Sequence, residues 1–178
     1  MELIKRYMDA GAVINFTQVG HRHTAVEYTI AGITKVHDAN LGLLGRDRLT
    51  VEMEGSMRDW VVETLLQGAY IREYHLWEKD CKAYFAVVAK RNGEKATMKQ
   101  RTGQSFTDVV REALVGFGVI MPADILGVIE RMRERVNVMK HEAGLELDYF
   151  ISADDYAEAL KALEGFWSYL AGCERIVA

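Results

Sequence analysis

Proline occurs once in the chain, at Pro122. Proline is the residue that most reliably breaks a helix, because it lacks an N–H and clashes with the preceding turn. A chain with so little of it is free to build long helices, and three short stretches say where they begin. SMRD (56–59), SFTD (105–108) and SADD (152–155) each set Ser three residues before Asp, ahead of an apolar-periodic run. The serine hydroxyl can cap the first turn while the carboxylate reaches back to the serine N–H, a capping box with Asp in place of Glu. Three such stretches predict three helix starts.

Periodicity fills in the helices. Over about 57–90, Tyr70, Trp77, Cys81, Tyr84 and Val88 fall along one side, and Val61, Leu65, Ala69, Leu76 and Val87 along another. A helix apolar on two sides belongs at the centre of a bundle. It would run roughly 50 Å at 1.5 Å per residue, with a break near Gly68 as one expectation. RNGEKATMKQRTGQ (91–104) is polar and bounded by glycines, and reads as a loop or insertion. A short helix over about 106–117 follows. Pro122 then opens a helix at its first turn, where a missing N–H costs nothing, and Gly144 is its expected C-terminal stop. The last helix, about 153–172, buries Tyr156, Leu160, Leu163, Trp167 and Leu170 on one stripe. Residues 3–16 read as helical. TAVEYTIAGITKVHDAN is compatible with a helix carrying Val26, Ile30, Ile33 and Val36 on one side, and its β-branched residues also allow strand. Helix is preferred because everything after it is helical.

With 178 residues, 49% of them hydrophobic, the chain suits one domain with a sizeable core. We assign 1–178 to a single helical domain: an N-terminal region, 1–50, of uncertain structure, and a bundle core over 57–172 with its insertion at 91–104. Cys81 and Cys173 lack metal-site spacing and read as reduced, partly buried thiols. The N-terminal MELIKRYMDAGAVINF is broken by charge too early for a secretory signal. No uncharged apolar run approaches the roughly 20 residues that span a bilayer, so the expected location is the cytoplasm, with no membrane partner. A net charge of −4 argues against duplex binding driven by phosphate neutralisation alone.

The densest cationic cluster is Arg131, Arg133, Arg135, Lys140 and His141, in the helix over about 122–142. Ile125, Val128, Ile129, Met132, Val136 and Met139 form its core stripe. Arg135 flanks that stripe, and Glu130, Glu134, Asn137 and His141 line the opposite face. Arg135 and His141 are six residues apart, about 120° around a helix, so one straight helix cannot aim both at one small group. Two copies of this helix packed about a two-fold axis through Val138 would bring both to one groove. Cover by another helix of the same chain accounts for Val138 equally well. His141 sits in the last turn, where the helix dipole favours the protonated ring by roughly 0.3–1 kcal/mol. Asn137, four residues earlier, can orient that ring. An oriented His beside permanent Arg charge suits general acid–base work next to a phosphate.

Arg135-Val-Asn-Val-Met-Lys-His141 resembles the motif of the HEPN superfamily (higher eukaryotes and prokaryotes nucleotide-binding), in which Arg and His stand four to six residues apart. That motif sits near the end of a late helix, with one more helix after it, as SADDYAEALKALEGFWSYL follows here. The aromatic GAYIREYHLWEKDCKAYF is similar to the family's first long helix. The resemblance implies an all-α, up-and-down helical bundle and a homodimer through the 122–142 helix. It also implies metal-independent cleavage of single-stranded RNA by attack of the ribose 2′-OH. His141 would move protons, Arg135 would bind the scissile phosphate, and Asn137, Lys140 and Arg131 would contact the substrate, with no cofactor or metal. Many members are inactive partners in toxin–antitoxin or defence systems, so a cognate antitoxin or other partner protein is a second implication. The chain departs from the family where Val136 follows the motif Arg and the polar Asn137 comes one later. Residues 1–50 and 91–104 lie outside the resemblance.

Two other readings stand beside it. Arg131, Arg133 and Arg135 also suit a solvated face paired with Glu130 and Glu134, which makes the chain a non-catalytic interaction or regulatory protein. His21 and His23, with His37 or His75, could form part of a metal site in a helical bundle. Against this, no His has an acidic residue three positions before it, as di-iron bundles require. His75 itself reads as core, and Tyr149-Phe150 as packing for the turn into the last helix.

Overall fold

A computed structural model describes residues 16–43, 48–93, 98, 100–141 and 150–173. At 16–24, 40–43, 48–51, 54 and 141 the description stops at the backbone. Five helices account for nearly all of it, and the described residues contain no strand: α1 (Phe16–Leu43), α2 (Arg48–Arg91), α3 (Phe106–Gly116), α4 (Ala123–His141) and α5 (Ala153–Gly172). The chain is an all-α bundle. Each helix packs on the next, and α2 also packs on α4 and α5, with α1 on α5.

Two of the three predicted starts are capping boxes in full. Ser105 caps α3 and Ser152 caps α5, each hydroxyl accepting the N–H of the Asp three residues on while that carboxylate accepts the serine N–H. The third expectation fails. Ser56 lies inside α2, and its hydroxyl donates back to the Glu52 carbonyl at 3.0 Å, the alternative open to any mid-helix serine. Nor does α2 break at Gly68: its 44 residues run unbroken, roughly 66 Å at 1.5 Å per residue.

The core lies along the second half of α2. Before Leu66 none of its described side chains is buried. From Leu66 onward Tyr70, Tyr74, Trp77, Cys81, Tyr84, Phe85 and Val88 are. Against them stand Ile129, Met132 and Val136 of α4, all 0% exposed, and the predicted stripe of α5. Val61, Leu65, Ala69, Leu76 and Val87 are half-buried, as a helix touched on both sides requires. Rings interlock at the centre: Trp77 meets Phe106 edge-on at 5.7 Å and Phe166 at 5.4 Å, and Tyr84 meets Trp167 at 5.8 Å. Truncating one such buried ring typically costs roughly 3–5 kcal/mol.

The α3–α4 connection has a specific device. Gly118 takes φ +72°, Val119 N–H donates to Leu114 O and Gly118 N–H to Val115 O, each at 2.9 Å. This is a Schellman closure, with Leu114 and Val119 both buried beside it. Pro122 stands just before α4, its carbonyl accepting Leu126 N–H at 3.3 Å. It is therefore the cap residue of α4 and precedes the first turn.

At the N-terminal side, residues 24–40 are helical, within α1. Val26 and Ile30 pack on the core and Ile33 is half-buried, but the stripe continues to buried His37, and Val36 is 62% exposed. Spacing explains the shift: after 26, 30 and 33 a helix returns to the same side at 37. The expectation of helix over 3–16 falls outside the described residues except at Phe16, the first residue of α1, and those for Gly144 and Tyr149 fall outside them. Cys81 and Cys173 are free thiols, buried and half-buried. No helix among the described residues is long and apolar enough to cross a membrane.

Candidate functional site

Helix α4 presents two charged flanks on either side of its core stripe, and each is engaged by a different neighbour. On the flank facing α5, Arg131 Nη2 donates to Glu158 Oε1 at 3.0 Å, and Arg135 Nη1 to Asp155 Oδ1 at 2.6 Å. The antiparallel run of the two helices sets these pairs side by side, one turn apart. Both Arg131 and Glu158 are more than half exposed, and such a surface pair is worth at most about 1 kcal/mol. The Arg135 pair is different in kind, because Asp155 is held elsewhere as well.

Asp155 is the third residue of α5. Its Oδ2 accepts Ser152 N–H at 3.1 Å and Ser152 Oγ–H at 2.7 Å, which leaves Oδ1 for Arg135. Burial alone would raise this carboxyl. The hydrogen bonds from Ser152, then the Arg135 guanidinium, outweigh burial and hold it below the ordinary Asp value. Tyr70 of α2 contributes a buried ring, close enough to Arg135 that the two groups influence each other's ionisation. Burial pushes the Tyr70 hydroxyl up to about 12 despite that cation, so it stays a neutral phenol. Arg135 is thus held by α5, with Tyr70 of α2 nearby, and its side chain keeps 42% exposure.

The other flank faces α2 and α3. Arg133 donates from Nε and Nη2 to Glu130 Oε1, both at 2.8 Å. The remaining oxygen of Glu130 is 3.4 Å from the Ser105 hydroxyl at the start of α3. Tyr74 of α2 is buried, and its pKa is driven up chiefly by that burial and next by Glu78. Glu78 also pairs with His75, Oε2 to Nδ1 at 3.1 Å. His75 is therefore a half-exposed imidazole backed by a carboxylate, not the core residue that the sequence suggested. Of this network only the pairing of Arg133 with Glu130 was legible in advance. Its only local signal is the three-residue spacing of His75 with Glu78 and of Glu130 with Arg133.

Of the five residues singled out by sequence, α4 carries all, but it does not gather them. Arg131 and Arg135 share the α5-facing flank, and both are paired. Lys140 is exposed and Asn137 half-buried, on the other side of the core stripe, since Lys140 is about 140° from Arg135 around the helix. His141 is the last residue of α4, and its side chain lies outside the described residues. Val138 is half-buried on the flank with Arg131 and Arg135.

Other candidate chemistry is sparse. Among the described residues no group of three or more His, Cys, Asp or Glu is arranged to hold a metal. The side chains of His21 and His23 are outside them. A cleft of about 420 Å³ between α1 and α2 has Val26, Leu65 and Ala69 among its walls and Arg72, Glu73 and Tyr156 among its polar groups. The hydroxyls of Thr29 and Thr64 also line it, but each bonds the carbonyl four residues back in its own helix. Comparison of the chain with protein-family models, with curated proteins and with solved structures gives no match in any of the three.

Proposed function

We propose that this protein is an HEPN-like, metal-independent endoribonuclease, with Arg135 and His141 as the reacting pair and a second copy of the chain completing the site through α4. The observation that carries this reading is the state of Arg135, held by Asp155 through Nη1 and still 42% exposed. A guanidinium has five N–H donors in a fixed fork. One that is held through a single nitrogen and still partly exposed has donors left to receive a phosphodiester. The helical order, with the motif on the penultimate helix and one helix beyond it, adds support.

In the reaction the ribose 2′-oxygen attacks the adjacent phosphorus and the bond to the 5′-oxygen breaks, leaving a 2′,3′-cyclic phosphate and a free 5′-hydroxyl. One His141 accepts the 2′-OH proton, and the His141 of the second copy supplies a proton to the departing oxygen. Arg135 stabilises the extra negative charge on the phosphoryl oxygens.

The test is cleavage of a mixed RNA pool in EDTA by wild type, Arg135→Ala and His141→Ala, with folding and mass checked for each. Cleavage lost in both variants, with the assembly intact, establishes the pair. Cleavage that survives both rejects it.

A non-catalytic interaction or regulatory protein is the second reading, and one observation favours it. Met53, Met57 and Trp60 of α2 are 66%, 59% and 59% exposed and stand on one side of the helix, a stripe suited to a partner. Absence of cleavage by any form would move the assignment there.

A further inference from the structure

Asp155 touches two things at once. Through Oδ2 it closes the capping box of α5, and through Oδ1 it holds Arg135 Nη1 at 2.6 Å. Closing a capping box needs only one carboxylate oxygen, so the contact to α4 is additional to what the helix start requires. The grip is also firm at both ends. Asp155 is fixed by two hydrogen bonds from Ser152, and α4 is fixed by Met132 and Val136, each 0% exposed.

We infer that Asp155 is a positioning residue for Arg135, aiming the guanidinium so that its open edge meets an RNA phosphodiester. This rests on the endoribonuclease reading above and names what prepares that site. A carboxylate so near carries a cost, since it also repels the phosphate. Coulomb energy falls as the inverse of distance, so an anion about 4 Å from the guanidinium and about 8 Å from the carboxylate keeps roughly half of the bare attraction. The net sign stays attractive. In exchange the side chain gives up its rotamer freedom before substrate arrives, and orientation of this kind governs large rate factors.

Ser152 makes the idea separable from simple helix capping. Ser152→Ala removes the cap hydroxyl, and with it one of the two hydrogen bonds on Asp155 Oδ2, but keeps the Ser152 N–H bond and the Asp155 carboxylate for Arg135. Asp155→Asn keeps the shape and removes the charge that grips it. Asp155→Glu restores a carboxylate at a position where capping boxes prefer Glu. Steady-state cleavage of a short single-stranded RNA in EDTA is measured for all three and for wild type, below each variant's unfolding temperature. The expected result is a fall in kcat of roughly 10- to 100-fold for Asp155→Asn, a clearly smaller fall for Ser152→Ala, which keeps the carboxylate and one of its two anchors, and recovery in Asp155→Glu. Equal losses in Asp155→Asn and Ser152→Ala, or none in either, overturn the inference while leaving the ribonuclease reading intact. A wild type that neither cleaves nor binds RNA overturns both.

Discussion

The hydroxyl of Tyr169 donates to the backbone carbonyl of Ile120 across 2.8 Å, fastening the last turn of α5 to the connection that leads into α4. The bond joins segments 49 positions apart and holds the end of α5 where α4 begins. A single neutral hydrogen bond contributes about 0.5–1.5 kcal/mol net, and Tyr169 is 37% exposed, so the lower half of that range applies. Tyr169→Phe should reduce the urea midpoint with the slope unchanged. An unchanged midpoint would show that water replaces the carbonyl at no cost.

Gly118 sets the geometry of the same connection. At φ +72° any side chain is strained, although an added Cβ would meet nothing within 4 Å. Gly118→Ala should therefore destabilise through backbone conformation alone, by about 1 kcal/mol or more. Gly68→Ala, with equally open surroundings inside α2, should stabilise by up to about 1 kcal/mol. Thermal unfolding of the two variants should shift in opposite directions.

The capping boxes make stability depend on pH in the acid range. Asp108 is held below the ordinary carboxylate value first by the Ser105 hydroxyl, then with help from Arg111, and Asp155 is held below it against the pull of burial. A carboxylate with a depressed folded pKa stabilises the fold fully above its unfolded value, near 3.9 for Asp. That contribution disappears as pH falls through the folded pKa. Stability should drop as pH is lowered below about 4, and Asp108→Asn with Asp155→Asn should flatten the drop. An equally steep acid limb in the double variant would place the titration elsewhere.

Two tryptophans separate the core from the surface of α2. Trp77 is 2% exposed between Phe106 and Phe166, and Trp60 is 59% exposed. Trp77→Ala should cost roughly 3–5 kcal/mol. Trp60→Ala should stay within about 0.5 kcal/mol if its stripe faces water. Unfolding that depends on protein concentration in wild type, and ceases to in Trp60→Ala, would instead identify the stripe as an assembly surface.

The parts of the fold legible from sequence are those set by near neighbours. SFTD and SADD begin helices because serine and aspartate three residues apart satisfy each other locally. SMRD has the same local pattern and fails, because VEMEG before it is already helical and Ser56 bonds backward into that turn. All five positions predicted for the α5 stripe are buried, but the inward face is broader and also takes in Ala159, Ala162 and Phe166, which the stripe omitted. On α1 the pattern slipped by one position, to His37, because burial follows geometry even where a polar side chain comes with it. The candidate site was legible as a set of residues on one helix and not as an arrangement. What holds Arg135 is Asp155, from the next helix, with Tyr70 of α2 nearby, and neither proximity leaves a mark in RERVNVMKH.

The position of Trp77 also bears on how the chain is made. Its ring rests against Phe166, which the ribosome adds roughly 90 residues later, or roughly 5–20 seconds at usual synthesis rates. During that interval the inner side of α2 has no α5 to cover it. Nascent chains stalled before residue 153 should be cut readily by protease within α2, and chains released at full length should resist.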